Sequence, residues 1–289
     1  MDTAARPYRS VLYIPGSKER ALEKAKGLAV DAIIFDLEDA VAVDEKVNAR
    51  KLLAETLSAG GYGQRAQIVR LNGMDTEWGA EDLATIMEIG PQAVLLPKVE
   101  SAEQVAAVAA KLDAHPACAG THIWAMMETS RGILNALAIA GAPRMAGFVI
   151  GTNDLAKELN CRFRADRLPM QSALQTCLMA ARAAGIVCID GVYNSFKDEE
   201  GLKAECEQGR DLGMDGKTLI HPAQVAVTNA AFAPSEAEIE LARRQIAAFE
   251  AAEAEGQGVA VVDGKIVENL HIVTAKATLA KAEAIEALG

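Results

Sequence analysis

Short apolar runs alternate with segments of helical periodicity along most of the chain. Each run is rich in Val, Ile, Leu and Ala, ends in polar residues, and is followed by apolar positions three or four residues apart. Continuous apolar runs are typical of strands buried on both faces, and the spacing that follows is typical of amphipathic helices. The predicted strands are Ser10–Ile14, Ala32–Phe35, Ala66–Val69, Ala93–Leu96, 123–127, Phe148–Ile150, Ile186–Ile189 and Lys217–Ile220.

Eight strand–helix units with short connections predict an α/β fold with a parallel sheet. Eight units within roughly 230 residues favour a (β/α)8 TIM barrel, which typically needs about 250 residues. A doubly wound open sheet is the alternative, but the dinucleotide fingerprint G-x-G-x-x-G does not follow the first strand. In a barrel, the residues at the carboxyl ends of the strands meet at the face where active sites occur.

The pattern changes after the eighth unit, which predicts a barrel over residues 1–232 and an appendage over residues 233–289. Ser235 to Glu238 form a capping-box pattern, and Asp263-Gly264 suits the two-residue turn of a hairpin. The predicted appendage is a helix over Ile239–Glu255, a hairpin and a final helix over about Val273–Ala287. Because it is too small to fold alone, we expect this C-terminal lid to pack on the barrel or on a neighbouring subunit.

Composition is that of an ordinary globular protein and argues against several kinds of partner. Of the 289 residues, 51% are apolar and 24% are charged, and the formal net charge is −11. A negative charge without a basic patch argues against nucleic acid and against anionic membranes. The five cysteines are scattered and lack metal-ligand spacing, which indicates free thiols in a reducing compartment. With no signal-peptide pattern and no apolar run long enough to span a bilayer, the sequence predicts a cytoplasmic protein.

Polar residues follow the predicted strands at the ends that would share one face of a barrel. They are Asp36, Glu38, Asp39, Arg70, Asn72, Lys98, Glu128, Asn153, Asp154, Asp190 and His221. A single one is better explained as a solvated loop residue or a structural ion pair, whereas the set favours an active site. Glu128 and Asp154 follow consecutive strands, and such hard oxygen ligands suit Mg²⁺, with Mn²⁺ as an alternative. A zinc site is not favoured, because His221 stands outside any H-E-x-x-H pattern and fits better as a buried, hydrogen-bonded residue.

Two cationic residues at strand ends leave alternatives open. Arg70 could pair with Asp36 or Glu38, or could bind a substrate carboxylate or a developing enolate through its fork, and these uses are compatible. Lys98 could form a Schiff base with a ketone substrate, which would make the protein a metal-free aldolase. Carboxylates at the same face would instead raise the pKa of the Lys98 amine and favour a salt bridge.

The motifs taken together resemble one known family. The segments RSVLYIPGS, FDLEDAV, VRLNG, LPKVES, METSRGILN, GTNDLA and DGKTLIHPAQV resemble the citrate lyase β-subunit-like family of citryl-, malyl- and citramalyl-CoA lyases. The resemblance runs from about Arg9 to about Pro234 and is specific as a set, although each motif alone would be weak. It implies a (β/α)8 barrel, a homo-oligomer such as a trimer or a hexamer, and cleavage of a carbon–carbon bond in a 3-hydroxy-acyl thioester.

The resemblance also implies roles for individual residues. The family's magnesium carboxylates fall on Glu128 and Asp154, and its substrate-binding arginine falls on Arg70. Further implied contributors are the acidic residues Asp36, Glu38 and Asp39 and, at the substrate carboxylate, the backbone N–H groups of Gly151, Thr152 and Asn153. The family's proton-transfer group is an aspartate of the lid that reaches a neighbouring subunit. Here Glu268 stands in that stretch, one methylene longer and without the family's proline.

We therefore expect a magnesium-dependent carbon–carbon lyase that cleaves a citramalyl-, malyl- or citryl-CoA type thioester into a 2-oxo acid and an acetyl thioester. In this mechanism the metal lowers the pKa of the substrate hydroxyl, and Glu268 takes its proton. Arg70 stabilises charge on the oxo acid or the enolate. Three alternatives stay open: a metal-dependent aldolase on free 2-oxo acids, a citrate lyase β subunit that needs an acyl carrier protein, and a non-catalytic binding or assembly subunit.

Overall fold

Eight parallel strands close into a barrel in the computed structural model, which describes residues 6–288. The strands are Ser10–Pro15 (β1), Ala32–Asp36 (β2), Ala66–Arg70 (β3), Ala93–Leu96 (β4), His122–Met127 (β5), Met145–Ile150 (β6), Val187–Asp190 (β7) and Gly216–Leu219 (β8). The barrel closes where β1 pairs with β8, with Val11 opposite Thr218 and Leu12 opposite Leu219. The predicted (β/α)8 fold is confirmed, and the open doubly wound sheet is wrong because its edge strands would lack this pairing.

One or two helices follow each strand and cover the outside of the barrel. They are Glu19–Ala25 (α1), Lys46–Ala59 (α2), Gly79–Ile89 (α3), Ala102–Asp113 (α4), Ser130–Leu134 (α5), Ala136–Ala140 (α6), Thr152–Glu158 (α7), Gln171–Ala184 (α8), Glu199–Leu212 (α9) and Val225–Phe232 (α10). Local signals fix several of their ends. The hydroxyl of Ser101 caps α4 by accepting the backbone N–H of Gln104. Gly213 ends α9 with a φ of 104°, which glycine adopts at little cost.

The sheet is covered by one apolar layer on its inner face and by another on its outer face. Inside the barrel, Val11, Ile34, Leu95 and Trp124 are among the buried side chains that fill the lumen. Between the strands and the helices, a larger layer includes Phe35, whose ring lies 4.9 Å from that of Tyr62. Because apolar side chains occupy the lumen below, the polar side chains gather at the carboxyl ends of the strands.

The chain divides into two compact units, one over residues 8–232 and the other over residues 233–288 with residues 6–7. The second unit contains Glu236–Ala254 (α11), Ala260–Val262 (β9), Lys265–Val267 (β10) and Asn269–Leu288 (α12). Asp263 and Gly264 form the hairpin turn with φ values of 51° and 74°, as the predicted two-residue turn requires. Phe249, Val262, Val267 and Ile272 form the core of this unit. The final helix begins before the predicted Val273, because Glu268 donates its backbone N–H to Nδ1 of His271 at its start.

None of the helices in residues 6–288 combines the length and the apolar character that a membrane crossing demands.

Candidate active site

A cavity of about 280 Å³ opens at the carboxyl ends of the barrel strands. Strand ends from both halves of the barrel contribute to its wall. The residues predicted for this face that line it are Asp36, Asp39, Arg70, Glu128, Gly151, Thr152, Asn153 and Asp154. This is the end of the barrel at which (β/α)8 enzymes carry their active sites.

Arg70 at the end of β3 is held by the acidic residues that end β2. Its Nε donates to Oδ1 of Asp36 over 2.7 Å and its Nη2 donates to Oδ2 over 2.5 Å. Its Nη1 lies 2.8 Å from Oε2 of Glu38 and 3.4 Å from Oδ2 of Asp39. Burial disfavours the charge of the guanidinium, but Asp36 and Glu38 outweigh burial and raise the pKa of Arg70, so it stays cationic. This geometry is compatible with both predicted uses of Arg70, pairing and anion binding.

Asp36 acts on the cavity through Arg70. Its side chain is fully buried, and it also accepts the backbone N–H groups of Glu38 over 2.9 Å and Ala40 over 3.1 Å. Together with the two guanidinium nitrogens, these donors satisfy both carboxylate oxygens. The contacts therefore suit Asp36 to fixing the guanidinium and not to direct proton transfer.

Glu38 lies at the edge of the same cluster, next to the residues that line the cavity but not among them, and its Oε2 accepts no hydrogen bond. Its Oε1 is 3.4 Å from Nζ of Lys98, and its Oε2 approaches Arg70 without the geometry of a hydrogen bond. Burial raises the pKa of Glu38, Arg70 opposes this rise, and the negative charge of Asp39 adds to it. A carboxylate with a raised pKa beside a fixed cation is a candidate proton acceptor.

Glu128 follows β5 and is only 2% exposed. Its Oε1 accepts the backbone N–H of Lys98 over 2.8 Å, and its Oε2 lies against Gly151. A Cβ added to Gly151 would stand 2.4 Å from that oxygen, so only glycine permits this approach. Burial raises the pKa of Glu128 to about 7, the Lys98 N–H opposes the rise, and the charges of Glu38 and Asp154 add to it. A cation between the carboxylates would favour the ionised form instead.

Lys98 contributes its backbone to the cluster. Its φ of 47° lies in the left-handed region, and this conformation accompanies the N–H bond to Glu128. Its side chain is 52% exposed, and its Nζ lies 3.4 Å from Oε1 of Glu38. Burial lowers the pKa of the amine, but the negative charges of Glu38 and Glu128 raise it by more, so the net shift of the pKa is upward. Because a Schiff base requires a neutral amine, the structure does not favour the Schiff-base alternative.

The segment Gly151–Asp154 places backbone and side-chain groups in the cavity wall. Gly151 precedes α7, and Asp154 lies in the first turn of that helix. The first N–H groups of an α-helix have no partner within the helix. The side chain of Asn153 is engaged with the loop after β7, because Nδ2 of Asn194 donates to its Oδ1 over 2.8 Å. Binding of a substrate carboxylate by the N–H groups of Gly151, Thr152 and Asn153 stays a prediction, and the N–H of Gly151 already donates to the carbonyl of Met127 over 3.1 Å.

Tyr13 lines the cavity and was missed by the sequence analysis. Its ring lies beneath Arg70, with the guanidinium carbon 4.9 Å from the ring centroid. Its hydroxyl lies 3.4 Å from Sδ of Met126 on β5. The available signal was the alternation of inward positions along β1, since Val11 faces the lumen and Tyr13 is two residues further on.

Asn72 belongs to a buried network that joins the loops after β2 and β3. Its Nδ2 donates to the carbonyl of Leu37 over 2.9 Å and to Oδ2 of Asp82 over 2.6 Å. Nζ of Lys46 donates to Oδ1 of Asn72 over 2.7 Å and to two backbone carbonyls of the β2 loop. Asn72 therefore holds these two loops together and is not among the residues that line the cavity.

Asp190 is likewise buried, and it forms ion pairs with two cationic side chains and does not line the cavity. Nη1 of Arg167 donates to both of its oxygens over 2.7 Å, and Nζ of Lys217 donates to Oδ2 over 3.1 Å. Burial raises the pKa of Asp190, but Lys217 and Arg167 lower it more, and the net shift is downward. The sequence analysis named Asp190 but missed its ion pairs with Lys217 and Arg167. The available signal was Lys217 at the start of a predicted buried strand, because a buried lysine needs a carboxylate partner.

His221 caps the turn after β8. Its Nδ1 accepts the backbone N–H of Ala223 over 3.1 Å, and its ring lies 4.5 Å from that of Phe196. The expected hydrogen bond is confirmed, but the expected burial is wrong, because the residue stands on the exposed side of the turn.

Glu268 belongs to the second compact unit, where it is exposed between β10 and α12. Its proposed role as a proton-transfer group toward a neighbouring subunit stays a prediction.

Residues 9–222 match the model of the HpcH/HpaI aldolase/citrate lyase family. The chain belongs to this family. The resemblance stated from the motifs is thereby confirmed. Among members of the family, a (3S)-malyl-CoA thioesterase of Cereibacter sphaeroides is 68% identical over 287 residues, which are 99% of this chain and 99% of that protein. The citrate lyase subunit beta of Leuconostoc mesenteroides subsp. cremoris is 35% identical over 283 residues, covering 96% of this chain and 93% of that one.

Solved structures of the family superpose on most of the chain. Protein CitE from Mycobacterium tuberculosis, in complex with magnesium, acetoacetate and coenzyme A, has a TM-score of 0.80 and 32% identity and covers 97% of this chain and 99% of its own. The citrate lyase beta subunit from M. tuberculosis, complexed with oxaloacetate and magnesium, has a TM-score of 0.70 and 33% identity, with 81% of this chain and 100% of that chain covered. The family is thus one of enzymes whose members include proteins with thioesterase and with lyase names.

The residues at the cavity fit a magnesium ion of the kind that these family members hold. Within residues 6–288, no group of three or more His, Cys, Asp or Glu side chains could hold a metal ion by itself. Magnesium does not need such a group, because it is usually bound by one or two carboxylates together with water and substrate oxygens. Glu128 and Asp154 are the two carboxylates predicted for it, and both line the cavity. The missing Cβ at Gly151 leaves space for Oε2 of Glu128. The oxygen-only donor set argues against zinc.

Proposed function

We propose that this protein is a magnesium-dependent thioesterase that hydrolyses a 3-hydroxy dicarboxylic acyl thioester of the (3S)-malyl-CoA type to the free acid and CoA. The observation that carries the proposal is the pairing of a cationic fork at Arg70 with the carboxylates Glu128 and Asp154 in one cavity. It occurs in a chain that is 68% identical to a (3S)-malyl-CoA thioesterase along 99% of both chains.

The size of the cavity supports a small acid as the group that enters it. Its volume of about 280 Å³ is just below the usual range for ligand cavities, which begins at about 300 Å³. The acyl part of malyl-CoA is a four-carbon dicarboxylic acid, whereas the whole thioester is many times larger. Recognition at this cavity therefore concerns the acid, and the nucleotide part lies outside it.

The chain's own residues have distinct roles in the proposed reaction. Glu128 and Asp154 would hold the metal, which would supply Lewis-acid polarisation of a substrate oxygen when bound. Arg70 binds the free carboxylate of the substrate, which holds the thioester carbonyl in place for attack, and Asp36 keeps the guanidinium in position for it.

Glu38 is the base in this proposal. It takes a proton from a water molecule, whose oxygen forms a bond to the thioester carbon as the C–S bond breaks. The proton then passes to the departing thiolate, so that the products are the free carboxylic acid and the thiol. Glu38 suits this step because its pKa is raised and one of its oxygens approaches Arg70 without accepting a hydrogen bond.

Carbon–carbon cleavage is the second candidate, and the citrate lyase subunit beta relatives favour it. The same metal and Arg70 would serve, but the base would take the proton of the 3-hydroxyl, and the products would be a 2-oxo acid and an acetyl thioester. Glu268 from a neighbouring subunit is the base that the motif resemblance assigns to this reaction.

One assay separates the two reactions. Purified protein is incubated with malyl-, citramalyl- and citryl-CoA, each with MgCl₂ and with excess EDTA, and free thiol, 2-oxo acid, acetyl-CoA and the free hydroxy acid are measured. Equal amounts of thiol and malate, lost with EDTA, support the thioesterase. A 2-oxo acid with acetyl-CoA establishes the lyase in its place.

Two matched variants test the metal carboxylate in the same assay. Glu128→Gln should abolish turnover, whereas Glu55→Gln, at an exposed position of α2, should leave it unchanged. Turnover that persists in EDTA or in Glu128→Gln would remove the metal site from the proposal, and no turnover of any thioester would overturn the proposal as a whole.

A further inference from the structure

The side chain of Tyr13 crosses the lumen of the barrel from one wall to the other. Tyr13 lies on β1, and its hydroxyl lies 3.4 Å from Sδ of Met126 on β5. In the closed order of eight strands, β1 and β5 are four positions apart in either direction, which makes them opposite walls. Both residues line the candidate active-site cavity. The phenol ring is therefore the floor that separates this cavity from the apolar lumen below.

The ring also braces Arg70 from a direction that the acidic residues leave open. The guanidinium carbon is 4.9 Å from the ring centroid, within the range of a cation–π contact. Asp36 holds the edge of the guanidinium through two nitrogens, and the ring supports its face. Edge and face contacts together fix the plane of the guanidinium, which a bidentate bond to a substrate carboxylate requires.

The hydroxyl of Tyr13 has a weak partner and stands at the cavity. A thioether sulfur is a weak acceptor, so the O–H···S contact is easily exchanged for one to a carboxylate oxygen. Burial raises the pKa of the phenol far above the neutral range, with Arg70 opposing and Asp36 adding to the rise. The group is consequently a neutral donor that does not add a negative charge to a site for an acid.

We propose that Tyr13 recognises the acid end of the substrate: its hydroxyl donates to a carboxylate oxygen of the bound acid, and its ring positions Arg70 for the same carboxylate. The inference rests on the proposed function for the identity of the acid. It adds the residue that sets how the acid is seated, at the floor of the cavity.

Two substitutions separate the hydroxyl from the ring. Tyr13→Phe keeps the aromatic face under Arg70 and removes only the donor, whereas Tyr13→Leu removes both. Tyr62→Phe is the matched control, because Tyr62 is buried, donates to the carbonyl of Leu22 over 3.1 Å, and lies outside the residues that line the cavity. A purely structural role for Tyr13 would make its Phe variant behave like the control.

The probe is L-malate in MgCl₂, titrated by calorimetry into each protein, with Mg²⁺ titrated separately. We expect Tyr13→Phe to weaken malate binding about tenfold, as the loss of one hydrogen bond to a charged group does. Tyr13→Leu should weaken it further, because the brace of Arg70 is lost too. Mg²⁺ affinity should be unchanged in Tyr13→Phe, and Tyr62→Phe should bind malate like the wild type.

Kinetics give a second readout that folding defects would not imitate. For the thioester, Tyr13→Phe should raise KM about tenfold with kcat close to that of the wild type, since the bond is made in the ground state and the transition state alike. Wild-type malate affinity and KM in Tyr13→Phe would overturn the inference and leave the proposed function intact. Malate binding that depends on Tyr13, in a protein that turns over no thioester, would support the inference and overturn the proposed function. A wild type that does not bind malate in MgCl₂ would also overturn the inference.

Discussion

The backbone N–H of Lys98 donates to Oε1 of Glu128 over 2.8 Å, and it does so from a left-handed conformation with φ of 47°. The bond orients the carboxylate so that its other oxygen, Oε2, lies on the side of Gly151. The lysine side chain has a different environment, since half of it is exposed and its Nζ lies near Glu38. The backbone of residue 98, and not its amine, is thus the part that the site uses.

Substitutions at Lys98 should confirm this division of roles. Lys98→Ala and Lys98→Gly both keep the N–H and remove the amine, so both should retain metal-dependent turnover. Lys98→Gly should unfold with a free energy about 1 kcal/mol higher than Lys98→Ala, because glycine adopts the left-handed region without the Cβ penalty. Urea denaturation and steady-state kinetics check the two statements. Complete loss of turnover in both variants would return the amine to the mechanism.

Gly151→Ala should weaken metal binding without unfolding the barrel. The new Cβ would stand 2.4 Å from Oε2 and 2.5 Å from Cβ of Glu128, so the carboxylate must move. We expect Mg²⁺ affinity to fall about tenfold or more, as for changes next to metal ligands. Gly120→Ala is the control, since nothing lies within 4 Å of the position of its Cβ. Equal Mg²⁺ affinities for the two variants in calorimetric titrations would contradict the placement of Glu128 at the metal.

Arg70→Lys should lower kcat/KM by about a hundredfold or more. A lysine keeps the charge but cannot form the two-pronged pair with Asp36 or present a fork to a carboxylate. Arg243→Lys, at an exposed position of α11, should be neutral. Kinetics of the two variants at saturating Mg²⁺ provide the measurement, and near-wild-type kcat/KM for Arg70→Lys would show that charge alone suffices.

Asp190→Asn should destabilise the barrel by about 3 kcal/mol at neutral pH, because Lys217 and Arg167 would lose their buried counter-charge. The pKa of Asp190 is lowered in the folded protein, so its contribution is present above the ordinary aspartate pKa of about 3.9 and is lost as the pH falls through the folded-state pKa. Urea denaturation from pH 7 downward should show the difference from the wild type shrinking at the acid end. Asp211→Asn, at an exposed position, should show no such difference.

The strands and their closure into a barrel were predictable because apolar runs of buried parallel strands have a strong signature. Convergence of Arg70, Glu128 and Asp154 followed from the same reasoning, since Arg70 ends β3, Glu128 follows β5 and Asp154 lies in the first turn of the helix after β6. Asn72 and Asp190 lie at strand ends as well, but their side chains serve buried networks. A position at a strand end does not by itself show whether the side chain points into the cavity or toward the surrounding layer. The direction depends on the register of the last residues of the strand.

Tyr13 was not predictable as part of the site for a different reason. Alternation along β1 indicates that Tyr13 faces the lumen, but it does not separate a tyrosine at the cavity from one in the apolar core. The contact across the lumen makes that distinction. Met126 lies 113 residues further along the chain. Contacts at this separation come from closure of the barrel, which local patterns do not encode.

Arg70 is also the counter-ion of a carboxylate that has no exposure to solvent, so the residue with the proposed role at the substrate also contributes to folding. A variant that loses the guanidinium leaves Asp36 charged and buried, so it is penalised in stability before its activity is ever tested. Libraries that vary position 70 to change the substrate will thus be depleted of clones for lack of folded protein. Variation of residues 36 and 70 together, so that both members of the ion pair are replaced at once, is the better route to a changed substrate preference.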